Sequence, residues 1–238
     1  MNMNNKKKVF SLLLLLVVGG VACHMTAQTH DRFANFARYQ SANQTLGVPA
    51  KGEKRIVLMG NSITDNWPKT RPEFFEAHPC LIGRGISGQT SYQFLLRFRQ
   101  DVVDLHPTTV VINYGTNDIA QNTGPYDEDK TYGNVLSMVD IARANGIKVV
   151  LASCLPAEGF SWRPEITDAM EKVRSLNARV KAYAEKEGIP FIDYFSALVS
   201  DDGTQMKAEY AKDHPAIHPN AAGYQVMEAL LLKTLKKK

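Results

Sequence analysis

Cysteine is scarce in this chain, three residues in 238, and the scarcity excludes several kinds of protein at once. There is no CxxC pair and no Cys/His spacing of the zinc-binding kind, so neither a disulfide scaffold nor a structural zinc module is expected. A membrane-spanning run is lacking as well: the apolar stretch Val9 to Ala22 is too short to cross a bilayer comfortably. Charge of one sign is in short supply once the N-terminus is set aside. Residues 1–27 hold Lys6, Lys7 and Lys8 and no acid, so without them the net charge falls by three, from +4 to +1. The remaining basic cluster, "KTLKKK" at the C-terminus, reads as a solvated helix end, and no nucleic-acid partner is expected.

What the N-terminus does contain is three lysines ahead of a short apolar run, the pattern of a secretory signal peptide over residues 1–27 with cleavage after Ala27. The alternative is a lipoprotein signal, since "GVAC" ending at Cys23 is a degraded lipobox; a membrane association is expected only if Cys23 is lipidated. The remaining residues, 28–238, suit one domain with a full core. Cys80 and Cys154 lie in or beside predicted buried strands, where a lone thiol acts as a small hydrophobe.

Val- and Ile-rich runs occur at 55–60, 80–86, 108–115, 147–156 and 189–195. Continuous rather than alternating apolar patterns predict strands covered on both faces. Helix-period segments lie between them at 92–105, 132–146 and 165–188, and further helices are predicted at 31–43 and 221–238. Strand and helix alternate, which predicts a three-layer α/β/α fold around a five-stranded parallel sheet. The polar stretch 120–131 reads as a long surface loop.

Ligands of open parallel sheets bind outside the carboxyl ends of the strands, and here those positions are polar. Ser62, in "VLMGNSITDNW", stands where a strand turns, so its hydroxyl is a candidate nucleophile if a base is near; equally, it can cap a short helix running through Trp67. "GRGISGQT" matches G-x-G-x-x-G at Gly83, Gly85 and Gly88. It follows the second strand rather than the first, and the acids downstream, Asp101 and Asp104, lie in a helix, which argues against a dinucleotide site. The glycines instead let a backbone N–H, that of Gly88, approach an oxyanion. Asn117 in "NYGTNDIAQN" is a candidate neutral donor, or a turn former. His218, ahead of the last helix, is a candidate general base.

Taken in order, "GNSIT", "GISGQT", "GTND" and "HPNAAGY" resemble the conserved blocks of the SGNH superfamily, the GDSL-type lipases and acylhydrolases, over nearly the whole chain from about residue 50. Asn61 stands where many members have aspartate, a variant similar to the branch of platelet-activating-factor acetylhydrolase subunits. The resemblance implies a flavodoxin-like fold, Ser62 as nucleophile, His218 as base, and an oxyanion hole of Ser62 N–H, Gly88 N–H and Asn117. It also implies an acid three residues before the histidine, where this chain has Pro215. The nearest carboxylate is Asp213, and a bulge through His214 and Pro215 is expected to bring it to the imidazole; otherwise a backbone carbonyl holds the ring. His214 reads as a loop or rim residue.

The expected function is an exported serine esterase for small acyl groups, including acetyl groups on glycans, because no long apolar lid segment is present. Phe160, Trp162 and Arg163, after the fourth strand, are candidate substrate contacts. No metal and no cofactor are expected. The rivals are a lysophospholipase or thioesterase for longer chains and a catalytically silent carbohydrate-binding protein on the same fold.

Overall fold

A computed structural model describes residues 31–236; the predicted signal segment 1–27 and Cys23 lie outside the described residues. In chain order the elements are α1 (Ala37–Leu46), β1 (Ile56–Gly60), α2 (Ser62–Thr70), α3 (Pro72–Ala77), β2 (Leu81–Gly85), α4 (Ser91–Asp101), β3 (Thr109–Asn113), α5 (Thr116–Ile119), α6 (Glu128–Ala144), β4 (Lys148–Ala152), α7 (Ala169–Lys186), β5 (Phe191–Ile192), α8 (Tyr194–Leu198) and α9 (Ala221–Lys236). The five strands pair in parallel in the order β2-β1-β3-β4-β5, the predicted α/β architecture. The continuous apolar runs have the expected cause. Val57, Met59, Val110, Ile112, Val149 and Leu151 bury one sheet face under α4, α6 and α7. Leu58, Val111, Val150 and Ala152 bury the other under α2 and α9, against Trp67, Tyr224 and Met227. Each such large side chain contributes about 1.5–3 kcal/mol on burial.

Local chemistry moves several boundaries. The stretch 120–131 is loop only as far as Asp127: its side chain accepts a hydrogen bond from Lys130 N–H and starts α6 at Glu128, four residues before the apolar period begins. β4 stops at Ala152 because the Asn177 amide takes over both backbone groups of Cys154, accepting from its N–H at 2.8 Å and donating to its carbonyl at 3.0 Å. β5 ends at Ile192 because Asp193 caps α8. Cys80 and Cys154 are both free thiols; Cys154 is buried and donates to the Tyr114 carbonyl.

One glycine of "GRGISG" fixes how closely α2 approaches the sheet. A Cβ on Gly85 would lie 2.3 Å from Asp65 N and 2.6 Å from the Asn61 carbonyl oxygen, backbone atoms of the first turn of α2. Gly85→Ala is expected to destabilise the fold by about 1–3 kcal/mol through overpacking, measurable as a lower urea midpoint at unchanged m-value; an unchanged midpoint would mean the turn is free to shift.

Candidate active site

The residues ending β1 set the first side chain of the site. Gly60 closes the strand, and Asn61 rather than Ser62 is the N-cap of α2: its side-chain oxygen accepts from Ile63 N–H at 3.0 Å. That leaves the Ser62 hydroxyl uncommitted to the helix, and Ser62 Oγ lies 2.8 Å from His218 Nε2. Ser62 N–H, at the first position of the helix, is one of the donors with no intrahelical acceptor, at the positive end of the helix dipole.

His218 arrives from the other end of the chain, 156 residues later. Its loop is pinched shut below the ring by an antiparallel bridge between Ala211 and Pro219 and by a bond from Lys212 N–H to the His218 carbonyl at 2.9 Å. Asn220 closes the base of this loop and opens α9: its amide donates to the Glu209 and Ala211 carbonyls, and its oxygen accepts from Gly223 N–H. Within the pinched loop, Asp213 folds back on the histidine. Oδ1 accepts from Ile217 N–H and His218 N–H, each at 3.0 Å, and Oδ2 meets His218 Nδ1 in a short hydrogen bond. The structure therefore brings Ser62, His218 and Asp213 into one chain of hydrogen bonds, with Pro215 in the turn between the last two. Partial burial pushes the Asp213 carboxyl up, but the bonds from the imidazole and the two N–H groups outweigh it and hold the carboxyl below its ordinary value.

Two further candidate donors follow β2 and β3, the strands on either side of β1. The loop after β2 turns at Gly88, whose φ of 80° favours glycine. Gly88 N–H has no protein acceptor among the described residues, while its carbonyl accepts from Asn122 Nδ2 at 3.0 Å. Asn117, buried in α5, donates one amide hydrogen to the Gln89 carbonyl at 2.9 Å, which orients the amide and leaves its second hydrogen available. Its neighbour Asp118 has a different task. The carboxylate receives Ser91 N–H and Oγ–H, tying α5 to the start of α4, and burial pushes its pKa up.

Of the predicted substrate contacts, Phe160 requires correction: it is 2% exposed and belongs to the core, and its ring backs Trp162 at 5.4 Å. Arg163 binds the Ala120 and Gln121 carbonyls and pairs with Glu165, so its guanidinium holds the turn after α5. Trp162 is 46% exposed, and its Nε1–H donates to Asn122 Oδ1 at 3.0 Å. His214 is exposed and lies 3.5 Å from Glu158, at the rim. Sequence reasoning named Asn61 without its capping role and missed the roles of Asn220 and Asn122. Asn61 and Asn220 lie within motifs, which was the available signal; Asn122, four residues past "GTND", carried none.

A five-stranded parallel sheet in the order 2-1-3-4-5, with a serine after its first strand and a histidine ahead of its last helix, defines the fold of the SGNH hydrolases. The chain belongs to the GDSL-like lipase/acylhydrolase family, whose profile matches residues 58–226. It is 53% identical to a GDSL-like lipase from Bacteroides thetaiotaomicron VPI-5482, whose crystal structure superposes with a TM-score of 0.83 over 86% of this chain and 98% of the other. It is 29% identical to the uncharacterized lipoprotein YqeF of Bacillus subtilis (strain 168), over 74% of this chain and 85% of that one. The acetylxylan esterase Axe2 from Geobacillus stearothermophilus shares the fold alone, at 21% identity and a TM-score of 0.60 over 79% of this chain and 95% of that one.

Proposed function

We propose that this protein is an exported serine esterase that removes small acyl groups, acetyl above all, from carbohydrate hydroxyls. The observation that carries the reading is the 2.8 Å contact from Ser62 Oγ to His218 Nε2, continued through Nδ1 to Asp213. In the reaction, His218 Nε2 takes the Ser62 proton as Oγ attacks the ester carbonyl, and the oxyanion is met by Ser62 N–H, Gly88 N–H and the Asn117 amide. The imidazolium gives its proton to the departing alcohol; water then repeats the sequence on the acyl-enzyme and releases the acid. Asp213 holds the ring with Nδ1 protonated and balances its transient charge.

A small acyl group fits the lack of a long apolar lid segment in the sequence. The 156–163 loop reaches the histidine side through Glu158 and His214 and the Gly88 side through Trp162 and Asn122. Trp162 presents an exposed indole whose polar edge is already bonded, the amphipathic surface on which a pyranose face stacks. Export fits the predicted signal peptide and the relative named as a lipoprotein.

A panel of p-nitrophenyl esters of increasing chain length and of acetylated xylo-oligosaccharides tests this. The expected kcat/KM falls at least about tenfold from acetyl to octanoyl, which corresponds to about 1.4 kcal/mol or more. Trp162→Ala is expected to raise KM for the acetylated sugars about three- to tenfold, matching an aromatic contact, while leaving that for vinyl acetate unchanged. A preference for octanoyl would transfer the reading to a lysophospholipase or thioesterase.

A further inference from the structure

Arg97 is the largest fully buried side chain of the fold, with no exposed surface, and it sits in none of the conserved blocks. A buried guanidinium is costly unless its five N–H groups are matched. One carboxylate, Asp101, balances the charge, with Arg97 Nη1 donating to its Oδ2 at 2.9 Å. Burial still pulls the Arg97 pKa down despite that partner. The remaining bonds lead toward the site. Nη2 donates to the Gly60 carbonyl at 3.1 Å, Nη1 to the Arg84 carbonyl at 2.9 Å, and Nε to Gln89 Oε1 at 2.6 Å.

Those three acceptors are the roots of three oxyanion donors. Gly60 ends β1 two residues before Ser62. Arg84 lies in β2, which leads into the Gly88 turn, and its carbonyl fixes the exit direction of that strand. Gln89 follows Gly88 directly, and its own carbonyl is what the Asn117 amide grips. We infer that Arg97 is a positioning residue for acyl transfer: one rigid planar fork holds Ser62 N–H, Gly88 N–H and the Asn117 amide in register before substrate arrives. The inference rests on the proposed esterase reaction at Ser62. Its physical sense is that an oxyanion hole lowers a barrier only if its dipoles need no reorganisation during the reaction. A lysine can carry the charge, but its three N–H groups leave one nitrogen and cannot reach the four acceptors that Arg97 meets from three nitrogens.

The test uses the protein with p-nitrophenyl acetate as substrate and a short alkylboronic acid, which forms a tetrahedral adduct on the serine and fills the hole. Arg97→Lys is expected to lower kcat roughly 100-fold, the scale of losing one oxyanion donor, with KM within about threefold. Boronic-acid affinity is expected to fall in proportion to kcat, and the inflections of the pH–rate profile to stay where they are. Gln89→Leu, which removes the Gln89 acceptor from Arg97 and also frees the Ala34 carbonyl that Gln89 Nε2 meets at 2.8 Å, is expected to cost about tenfold in kcat with KM within about threefold, and decides the matter alone if Arg97→Lys does not fold. Val139→Ala, a truncation of a fully buried core side chain in α6 that bonds none of these residues, is the control for stability; its kcat is expected within about twofold of the native value. The inference is overturned if folded Gln89→Leu and Arg97→Lys proteins keep native kcat and boronic-acid affinity, or if Val139→Ala loses kcat equally. Native turnover by Ser62→Ala would overturn the esterase reading instead.

Discussion

Ser62→Ala is expected to lower kcat for p-nitrophenyl acetate by roughly 10⁵- to 10⁶-fold, the loss seen when a serine nucleophile is deleted from an intact triad. The fold should survive the change. Among the described residues Ser62 Oγ bonds only His218, whereas the cap that starts α2 belongs to Asn61 and its bond to Ile63 N–H. The urea midpoint is therefore expected within about 0.5 kcal/mol of the native protein, as for substitutions away from caps and core. Retained turnover would remove Ser62 as the nucleophile, and unfolding would show that the hydroxyl has a structural load absent from the observed bonds.

Asp213→Asn is the second large effect, and its size follows from hydrogen-bond polarity. An asparagine oxygen can still accept from Ile217 N–H and His218 N–H, so the pinched loop keeps its shape. Its amide nitrogen, however, would donate to His218 Nδ1, which places the ring proton on Nε2, facing Ser62 Oγ. A base with its proton already in place cannot accept another, and a loss of about 10⁴-fold in kcat is expected. A rate within tenfold of native would mean that a backbone carbonyl orients the imidazole instead.

The same substitution carries a pH signature. Because the Asp213 carboxyl is held below its ordinary value, its ionised form stabilises the native state fully above the unfolded-chain value, and this is lost as pH falls through the folded value. The stability deficit of Asp213→Asn measured by urea at neutral pH is therefore expected to close in acid, below the ordinary carboxylate range. The partly exposed position keeps that deficit small.

The fold was legible because its signals are local. Runs such as "VVI" at 110–112 and "VVLA" at 149–152 are apolar throughout, which is what two covered sheet faces require, and Gly146 and Gly188 mark where helices stop. The carboxyl-edge residues were legible for the same topological reason. What was not legible depends on partners far away in the chain. Nothing near Phe160 shows that its ring joins the core while Trp162, two residues on, stays exposed. The helix starting at Glu128 rests on a capping aspartate within a polar stretch that otherwise reads as loop. Arg97 looks like any cation on an amphipathic helix until Gly60, Arg84 and Gln89 converge on it. The contact of Asp213 with His218 depends on what the local spacing did not contain: a loop closed by the Ala211–Pro219 bridge and by Asn220 sets a carboxylate against an imidazole five residues away.

Peptide-level mass spectrometry after exposure to a fluorophosphonate tests the central claim most directly. The account predicts one phosphonyl adduct, on Ser62, in the native protein, with labelling slowed by orders of magnitude in His218→Ala and abolished by denaturation. An unlabelled native chain, or an adduct on any other side chain, would contradict it.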